Sequence, residues 1–179
     1  MKRSTRYLLA GVAVAALVAV FTGVGLAVAG GAPPVVTTAG KLIVKINKGI
    51  EITLHFTPGT TSVASGSEVT FTHGDDLGEP HTISITTNKA DLPTSAESPC
   101  KPCNQARKHF KNPNSENSPV ASYILDKGNP GLDVLGDSIL LKPKGPHKTA
   151  TVVVSAAPGT TLYFVCAIHP WMQAKINVT

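Results

Sequence analysis

The stretch that decides the fold reads YFVCAIHPWMQAKINV, residues 163–178, near the C-terminus. Cys166, His169 and Met172 follow one another at three-residue intervals, directly after an apolar run. Alternation along a strand places Phe164 and Cys166 on one face, so the cysteine points toward a core together with a large apolar side chain. The loop that follows can return the histidine and the methionine toward the sulfur. The stretch therefore predicts a core strand that ends in three candidate metal ligands.

A fourth candidate ligand lies far upstream, in PHTISI at residues 80–85. Alternation there places His81 on the same face as the two isoleucines, pointing inward. A thiolate and two imidazoles with a weak thioether form the donor set of blue-copper sites, whereas methionine is a poor zinc ligand. The set His81, Cys166, His169 and Met172 therefore predicts one copper ion per chain, with zinc as the alternative.

The rest of the chain favours an all-β fold. Short runs that alternate apolar and polar residues are separated by Gly and Pro turns, which is typical of an antiparallel sandwich or barrel. In one run, alternation predicts Ile52, Leu54 and Phe56 on the inner face and His55 on the outer face. The exception is residues 87–140, which read as a long irregular insertion with a helical turn or two near residues 104–110. The predicted strands lie at residues 41–46, 51–56, 68–73, 80–85, 149–155, 161–166 and 174–178.

The N-terminal segment predicts export. Residues 1–7 are basic, and Leu8–Ala29 is an apolar run without a charge, so residues 1–29 are either a cleaved signal peptide or a membrane anchor through residues 8–29. Residues 30–40 read as a linker, and residues 41–179 as the folded domain. Without the three basic residues of the segment, the formal net charge falls from +5 to +2, which disfavours nucleic-acid binding.

Three cysteines in an exported chain leave one unpaired. Cys100 and Cys103 lie in SPCKPCNQ and predict a local disulfide that would staple the insertion; the alternative is a second metal site completed by His109. Cys166 is then the free thiol. A basic cluster in the same insertion predicts a solvated surface or a surface that steers an acidic redox partner; its members are Lys101, Arg107, Lys108 and Lys111.

Two halves of the sequence resemble the cupredoxins, particularly plastocyanin, amicyanin and pseudoazurin. The C-terminal stretch resembles their copper loop, and FTPGTTSVASGSEVTFTHGDDLGEPHTISI, residues 56–85, resembles their upstream half. The resemblance implies a Greek-key β-sandwich with type 1 copper bound by the four predicted ligands. It also implies one-electron transfer through the edge of His169. His73 stands where the family usually has an asparagine that braces the copper loop, so its ring could brace the loop or bind a metal or a proton.

The sequence thus predicts an exported electron carrier, periplasmic or extracellular and possibly anchored to the outer face of the membrane. It predicts a monomer that acts with redox partner proteins and is not an enzyme, because no catalytic acid-base pair or second-copper cluster is found. One alternative is a copper-binding protein for storage or delivery. Another is a structural module that has lost its metal, which the presence of all four ligand types disfavours.

Overall fold

The computed structural model describes residues 31–95, 97–111 and 122–179. The predicted export segment lies outside the described residues. The described chain is mostly β, with one α-helix, α1 (Lys101–Phe110), and two short 3₁₀ turns at residues 89–91 and 146–148. The strands are β1 (Val35–Ala39), β2 (Leu42–Lys45), β3 (Gly49–Ile52), β4 (His55–Thr57), β5 (Thr60–Val63), β6 (Glu68–His73), β7 (His81–Thr86), β8 (Ile124–Leu125), β9 (Ser138–Leu141), β10 (Thr149–Val153), β11 (Thr161–Val165) and β12 (Gln173–Val178).

Two sheets form the predicted sandwich, and a third, two-stranded sheet stands apart from them. The first sheet has the order β10-β6-β1-β4, and the second has the order β5-β12-β11-β7-β9-β8. Most neighbouring strands are antiparallel, but β1 runs parallel to β6 and β5 runs parallel to β12. Strands β2 and β3 pair only with each other. The all-β sandwich with an insertion is therefore confirmed.

The core lies between the two large sheets, as the alternation predicts. Phe56 and Phe71 from the first sheet pack edge-to-face against Phe164 from the second, with ring centroids 5.0 and 5.7 Å apart. Such edge-to-face pairs add attraction beyond the buried area because the positive ring edge meets the negative ring face. Cys166 and Met172 belong to this same buried cluster. The predicted ligands therefore lie at one end of the main core.

The insertion packs on the outer face of the second sheet and is more regular than the sequence predicts. Helix α1 contains the predicted helical turn but begins earlier, at Lys101, and a second buried cluster forms beneath it. All six residues of β7 are buried because the core covers one face of the strand and the insertion covers the other. Strand β9, inside the predicted insertion, pairs with β7 and extends the sheet.

Two details near the N-terminal side differ from the sequence-based expectations. Strand β1 lies within residues 30–40, the predicted linker; its Val and Thr side chains suit a strand that completes the first sheet. The run at residues 51–56 is broken, so Leu54 and Phe56 are buried but Ile52 is 45% exposed. The period is interrupted because Ile52 belongs to the hairpin formed by β2 and β3, outside the sandwich. Among the described residues, no helix has the length and apolar character needed to cross a bilayer.

Candidate metal centre

Adjacent strands bring the upstream and downstream ligands together. Strands β7 and β11 pair antiparallel, with Ser84 opposite Val165, so the start of β7 lies beside the end of β11. His81 is the first residue of β7, and Cys166 directly follows β11. The loop after β11 then carries His169. All three side chains are nearly or fully buried, with exposed fractions of 0–7%.

The donor atoms of these three residues are separated by distances that suit one shared metal ion. The sulfur of Cys166 lies 3.8 Å from Nδ1 of His81 and 3.7 Å from Nδ1 of His169, and the two Nδ1 atoms are 3.2 Å apart. Metal–nitrogen bonds of about 2.0–2.1 Å and metal–sulfur bonds of about 2.3 Å separate such donors by roughly 3.1–3.8 Å at angles of about 100–120°. The three donors can therefore bind a single ion without rearrangement.

Carboxylates hold both imidazoles in the orientation that metal binding requires. Nε2 of His81 lies 2.8 Å from the buried Asp75, and Nε2 of His169 lies 2.8 Å from the half-exposed Glu79. A proton on Nε2 that is donated to a carboxylate leaves the lone pair of Nδ1 free for a metal. Nε2 of each ring is thus bound to a carboxylate, and Nδ1 lies near the sulfur of Cys166.

The surroundings of Cys166 hold its sulfur in the form that binds metal ions. Burial alone would raise the pKa of the Cys166 thiol, but hydrogen bonds and charge from His169 and His81 lower it to about 5. Burial opposes protonation of His81, yet Asp75 and Cys166 raise its pKa to about 9, so a metal ion must displace a proton from this ring when it binds. The sulfur is therefore a thiolate at neutral pH, the form that binds soft metal ions.

Met172, the fourth predicted ligand, is fully buried beside this group. The backbone N–H of Cys166 donates to the carbonyl of Met172 over 3.0 Å, and the N–H of Met172 donates to the carbonyl of His169 over 2.9 Å. These bonds close the loop on itself, so the thioether residue returns to the segment that carries the thiolate. A thiolate, two imidazoles and a neighbouring thioether are the donors that distinguish copper electron-transfer sites from zinc sites.

The donors fit a blue-copper site. No protein-family model and no curated protein matches the sequence. Solved structures that match this chain include a purple cupredoxin from Nitrosopumilus maritimus, at 14% identity and a TM-score of 0.40 over 82% of this chain and 99% of that one. They also include an auracyanin from Roseiflexus castenholzii, at 17% identity and 0.40 over 70% and 87%. A plastocyanin from Dryopteris crassirhizoma matches at 17% identity and 0.39 over 81% and 99%.

Thr82 joins the two halves of the candidate metal centre through both its backbone and its side chain. Its N–H donates to the sulfur of Cys166 over 3.4 Å, and its hydroxyl accepts a hydrogen bond from the N–H of Ala167 over 2.7 Å. A hydrogen bond to the thiolate withdraws electron density from the sulfur, which is one way in which proteins tune copper potentials. Thr82 therefore ties the strand that carries His81 to the segment that carries Cys166.

For His73 the sequence predicts a brace for the copper loop, or a metal or proton site, but in the structure its ring braces a different loop. Its Nε2 lies 2.7 Å from the carbonyl oxygen of Glu79, within the segment that leads to His81. The same nitrogen is 3.8 Å from Asp75. His73 thus holds the loop that positions both carboxylates, and its ring lies beside that of His81, with centroids 5.1 Å apart.

The insertion contacts the loop after Cys166 through Arg107. Two nitrogens of its guanidinium donate to the carbonyl of Ala167, the residue after Cys166, over 3.0 and 2.5 Å. Cys100 and Cys103 form the predicted disulfide at the start of the helix, so their sulfurs are not available to the alternative metal site with His109. Of the basic cluster, Lys101 pairs with Asp91 rather than extending freely into solvent.

The surface above His169 is part apolar and part acidic. Trp171 is 53% exposed and meets the His169 ring edge-on, with centroids 5.3 Å apart. A surface depression beside the ring is lined by Glu79, Pro80, Ile168 and His169 itself. Sequence reasoning missed Asp75, Glu79 and Arg107. The acidic segment GDDLGEP before His81 was the available signal for the carboxylates, but it does not show which of its three acidic side chains turns inward.

Proposed function

We propose that this protein is a type 1 copper protein that carries single electrons between redox partners outside the cytoplasm. His81, Cys166 and His169 would hold the copper through two imidazoles and a thiolate, and Met172 would supply a neighbouring thioether. The observation that carries the proposal is the group of three donor atoms, 3.2–3.8 Å apart and buried, with the remaining nitrogen of each imidazole bound to a carboxylate.

Copper in such a site alternates between Cu(I) and Cu(II), and its potential depends on the axial ligand and on hydrogen bonds to the sulfur. The surrounding residues limit structural change between the two states. Thr82 fixes the sulfur, and the two carboxylates fix the rings. Because the donors are already placed at metal-binding distances, little rearrangement accompanies electron transfer. A carrier benefits from this rigidity, whereas an enzyme would also need a substrate position next to the metal.

The test is to add Cu(II) to the chain from Ala32 onward, which contains every described strand and forms a compact unit of its own. We expect an intense thiolate-to-copper charge-transfer band in the visible spectrum. The band should vanish in Cys166→Ser and persist in the matched variant Cys100→Ser/Cys103→Ser. It should also bleach with ascorbate and return with ferricyanide. A colourless complex, or a band that survives Cys166→Ser, would contradict the proposal.

Copper stoichiometry separates the carrier from a storage or delivery protein. The disulfide between Cys100 and Cys103 removes the two thiols that a second site would use, which supports the carrier. We expect one copper per chain that remains bound through repeated reduction and reoxidation. Release of copper on reduction, or more than one ion per chain, would favour storage or delivery.

Export and the identity of the partners rest on the sequence. The charge-free run of residues 8–29 after a basic start supports export, with either cleavage or retention as an anchor. Fractionation of cells that express the full chain tests this proposal. The protein should appear outside the cytoplasm, and a cytoplasmic location would contradict it.

A further inference from the structure

The hairpin formed by β2 and β3 has an apolar face that no other described part of the chain covers. In its register Leu42 lies opposite Ile52 and Val44 opposite Ile50, and side chains at such paired positions share a face. Ile46, at the turn, continues the row. The exposed fractions of these five residues are 45% for Leu42, 64% for Val44, 86% for Ile46, 67% for Ile50 and 45% for Ile52.

Exposure of so many neighbouring aliphatic side chains is unusual on the surface of a soluble protein. A two-stranded hairpin by itself is only marginally stable in water and normally gains stability by packing an apolar face. Contiguous exposed apolar patches commonly mark sites that contact proteins or membranes. Five neighbouring aliphatic side chains on one face therefore indicate an external partner.

The charges around the face identify the chemistry of that partner. The segment from Lys41 to Ile52 has three lysines and one acidic residue, Glu51, which pairs with Lys45. Lys41 and Lys48 are exposed and flank the apolar row near its two ends. An aliphatic face bordered by lysines matches an anionic lipid surface, in which acyl chains accept the apolar side chains and phosphates attract the ammonium groups.

We propose that the β2–β3 hairpin docks the protein on the surface of an anionic lipid bilayer. Ile46 and its apolar neighbours would enter the boundary between headgroups and acyl chains, and the lysines would contact lipid phosphates. The sequence before the hairpin supports this partner. The apolar run of residues 8–29 ends only twelve residues before Lys41, so a retained run would bring the hairpin within about 45 Å of a membrane.

The hairpin also leaves the sandwich at its metal-binding end. Near the end of strand β1, which leads into the hairpin, Thr38 lies opposite His73 and its hydroxyl donates a hydrogen bond to Asp75. Docking would therefore hold that end of the protein close to the lipid surface. The inference does not depend on copper binding, because it uses no residue of the metal centre.

Vesicle co-sedimentation of the chain from Ala32 onward tests the proposal. One set of vesicles contains phosphatidylcholine, and the other contains phosphatidylcholine mixed with phosphatidylglycerol. The variant is Ile46→Ser/Ile50→Ser, and its matched control is Val134→Ser/Val153→Ser, which also replaces two exposed aliphatic residues but elsewhere. A second pair tests charge, with Lys48→Glu in the hairpin and Lys144→Glu outside it. All the replaced side chains are at least one third exposed, so each variant should retain its fold, which circular dichroism checks.

We expect the parent protein to bind the anionic vesicles and to bind phosphatidylcholine more weakly. Ile46→Ser/Ile50→Ser should weaken binding roughly tenfold or more, because two buried aliphatic contacts are lost. Lys48→Glu should weaken binding to the anionic vesicles alone, by roughly fivefold per unit of charge. Both control variants should bind like the parent.

Three results would overturn the proposal. The first is no sedimentation with either kind of vesicle, and the second is equal binding by the hairpin variants and the parent. The third is a stable dimer, seen by light scattering, that Ile46→Ser/Ile50→Ser dissociates, because the apolar face would then join two copies of the chain. Copper spectra recorded in parallel keep a failure of docking distinct from a failure of the proposed function.

Discussion

At the scale of single residues, the metal centre is defined by what binds the outer nitrogen of each imidazole. Asp75 is buried and also accepts hydrogen bonds from the Thr38 hydroxyl and the Leu77 N–H. Burial alone would raise the pKa of Asp75, but the bonds from His81 and Thr38 hold it well below its usual range. Glu79 is about half exposed, so solvent screens its charge. The two carboxylates should therefore contribute unequally.

Replacing Asp75 should weaken copper binding. In Asp75→Asn the ring of His81 loses an ionised acceptor, and a carboxylate that orients a metal-binding histidine is typically worth 10–100-fold in affinity. We expect a loss of about this size in competition titrations with a copper chelator. Asp76→Asn, which changes the exposed neighbouring carboxylate, should bind copper like the parent. Equal affinities for the two variants would contradict the role given to Asp75.

Replacing Glu79 should raise the reduction potential. Its negative charge at Nε2 of His169 stabilises Cu(II) more than Cu(I), and an exposed ion pair contributes about 0.2–1 kcal/mol. Since 59 mV corresponds to a tenfold change for one electron, Glu79→Gln should shift the potential upward by about 10–40 mV. Cyclic voltammetry measures this shift. Glu68→Gln, an exposed carboxylate on β6, should leave the potential unchanged, and a downward shift in Glu79→Gln would contradict the reasoning.

At the scale of elements, helix α1 holds the loop that carries Cys166 and His169 in place. The disulfide closes the start of the helix, its buried face packs on the second sheet, and Arg107 reaches the carbonyl of Ala167. A loop anchored by a guanidinium from one side and by Thr82 from the other has little freedom to move. The insertion therefore helps to hold the loop that carries two of the candidate metal ligands.

Removing the hydrogen bonds from Arg107 to the Ala167 carbonyl should lower the free energy of unfolding. Arg107→Met keeps the aliphatic stem but leaves the Ala167 carbonyl without its charged donor, and hydrogen bonds to charged groups contribute about 1.5–3 kcal/mol. Because Arg107 is exposed, we expect the lower part of that range, about 1.5–2 kcal/mol in the free energy of unfolding measured with urea. Lys108→Met, the neighbouring cation on the same helix, should cost less than about 0.5 kcal/mol. Equal losses of stability in the two variants would contradict the role given to Arg107.

Alternation of apolar and polar residues predicted the strands that pack against the core. It did not predict the features that depend on contacts between residues far apart in the chain. Residues 161–166 and 80–85 alternate because one side faces the core, so the inward direction of Cys166 and His81 could be read directly. Ile52 follows the same alternation but lies in a hairpin outside the sandwich, which no local pattern reveals. Asp75 and Arg107 act through partners that folding brings near, and an acidic loop or a basic helix does not identify those partners.

At the scale of the whole molecule, aromatic rings join the two sheets. Phe56 and Phe71 from one sheet enclose Phe164 from the other, two residues before Cys166. The same strand therefore contributes to the centre of the core and to the metal centre. Stability of the sandwich and placement of the thiolate depend on one contiguous segment.

Phe164→Ala should destabilise the protein strongly. Deleting a fully buried phenylalanine removes its contacts and leaves a cavity, which typically costs about 3–5 kcal/mol. Urea unfolding of the chain from Ala32 onward measures this loss. Val153→Ala, at a position that is 37% exposed on the outside of β10, should cost less than about 1 kcal/mol. A loss below about 2 kcal/mol for Phe164→Ala would mean that the core relaxes to fill the space.

Thr82 contacts both Cys166 and Ala167. Because of these two contacts, the metal centre can form only when β7 and β11 pair in the correct register. Side chains alternate between faces, so a slip of one residue between β7 and β11 would turn the sulfur away from His81 and separate both hydrogen bonds. A misaligned chain could still be compact and rich in β-structure, but it would lack the absorbing centre. The visible colour of the copper-loaded protein would thus report, in a single reading, that two segments far apart in the chain have met in the correct order.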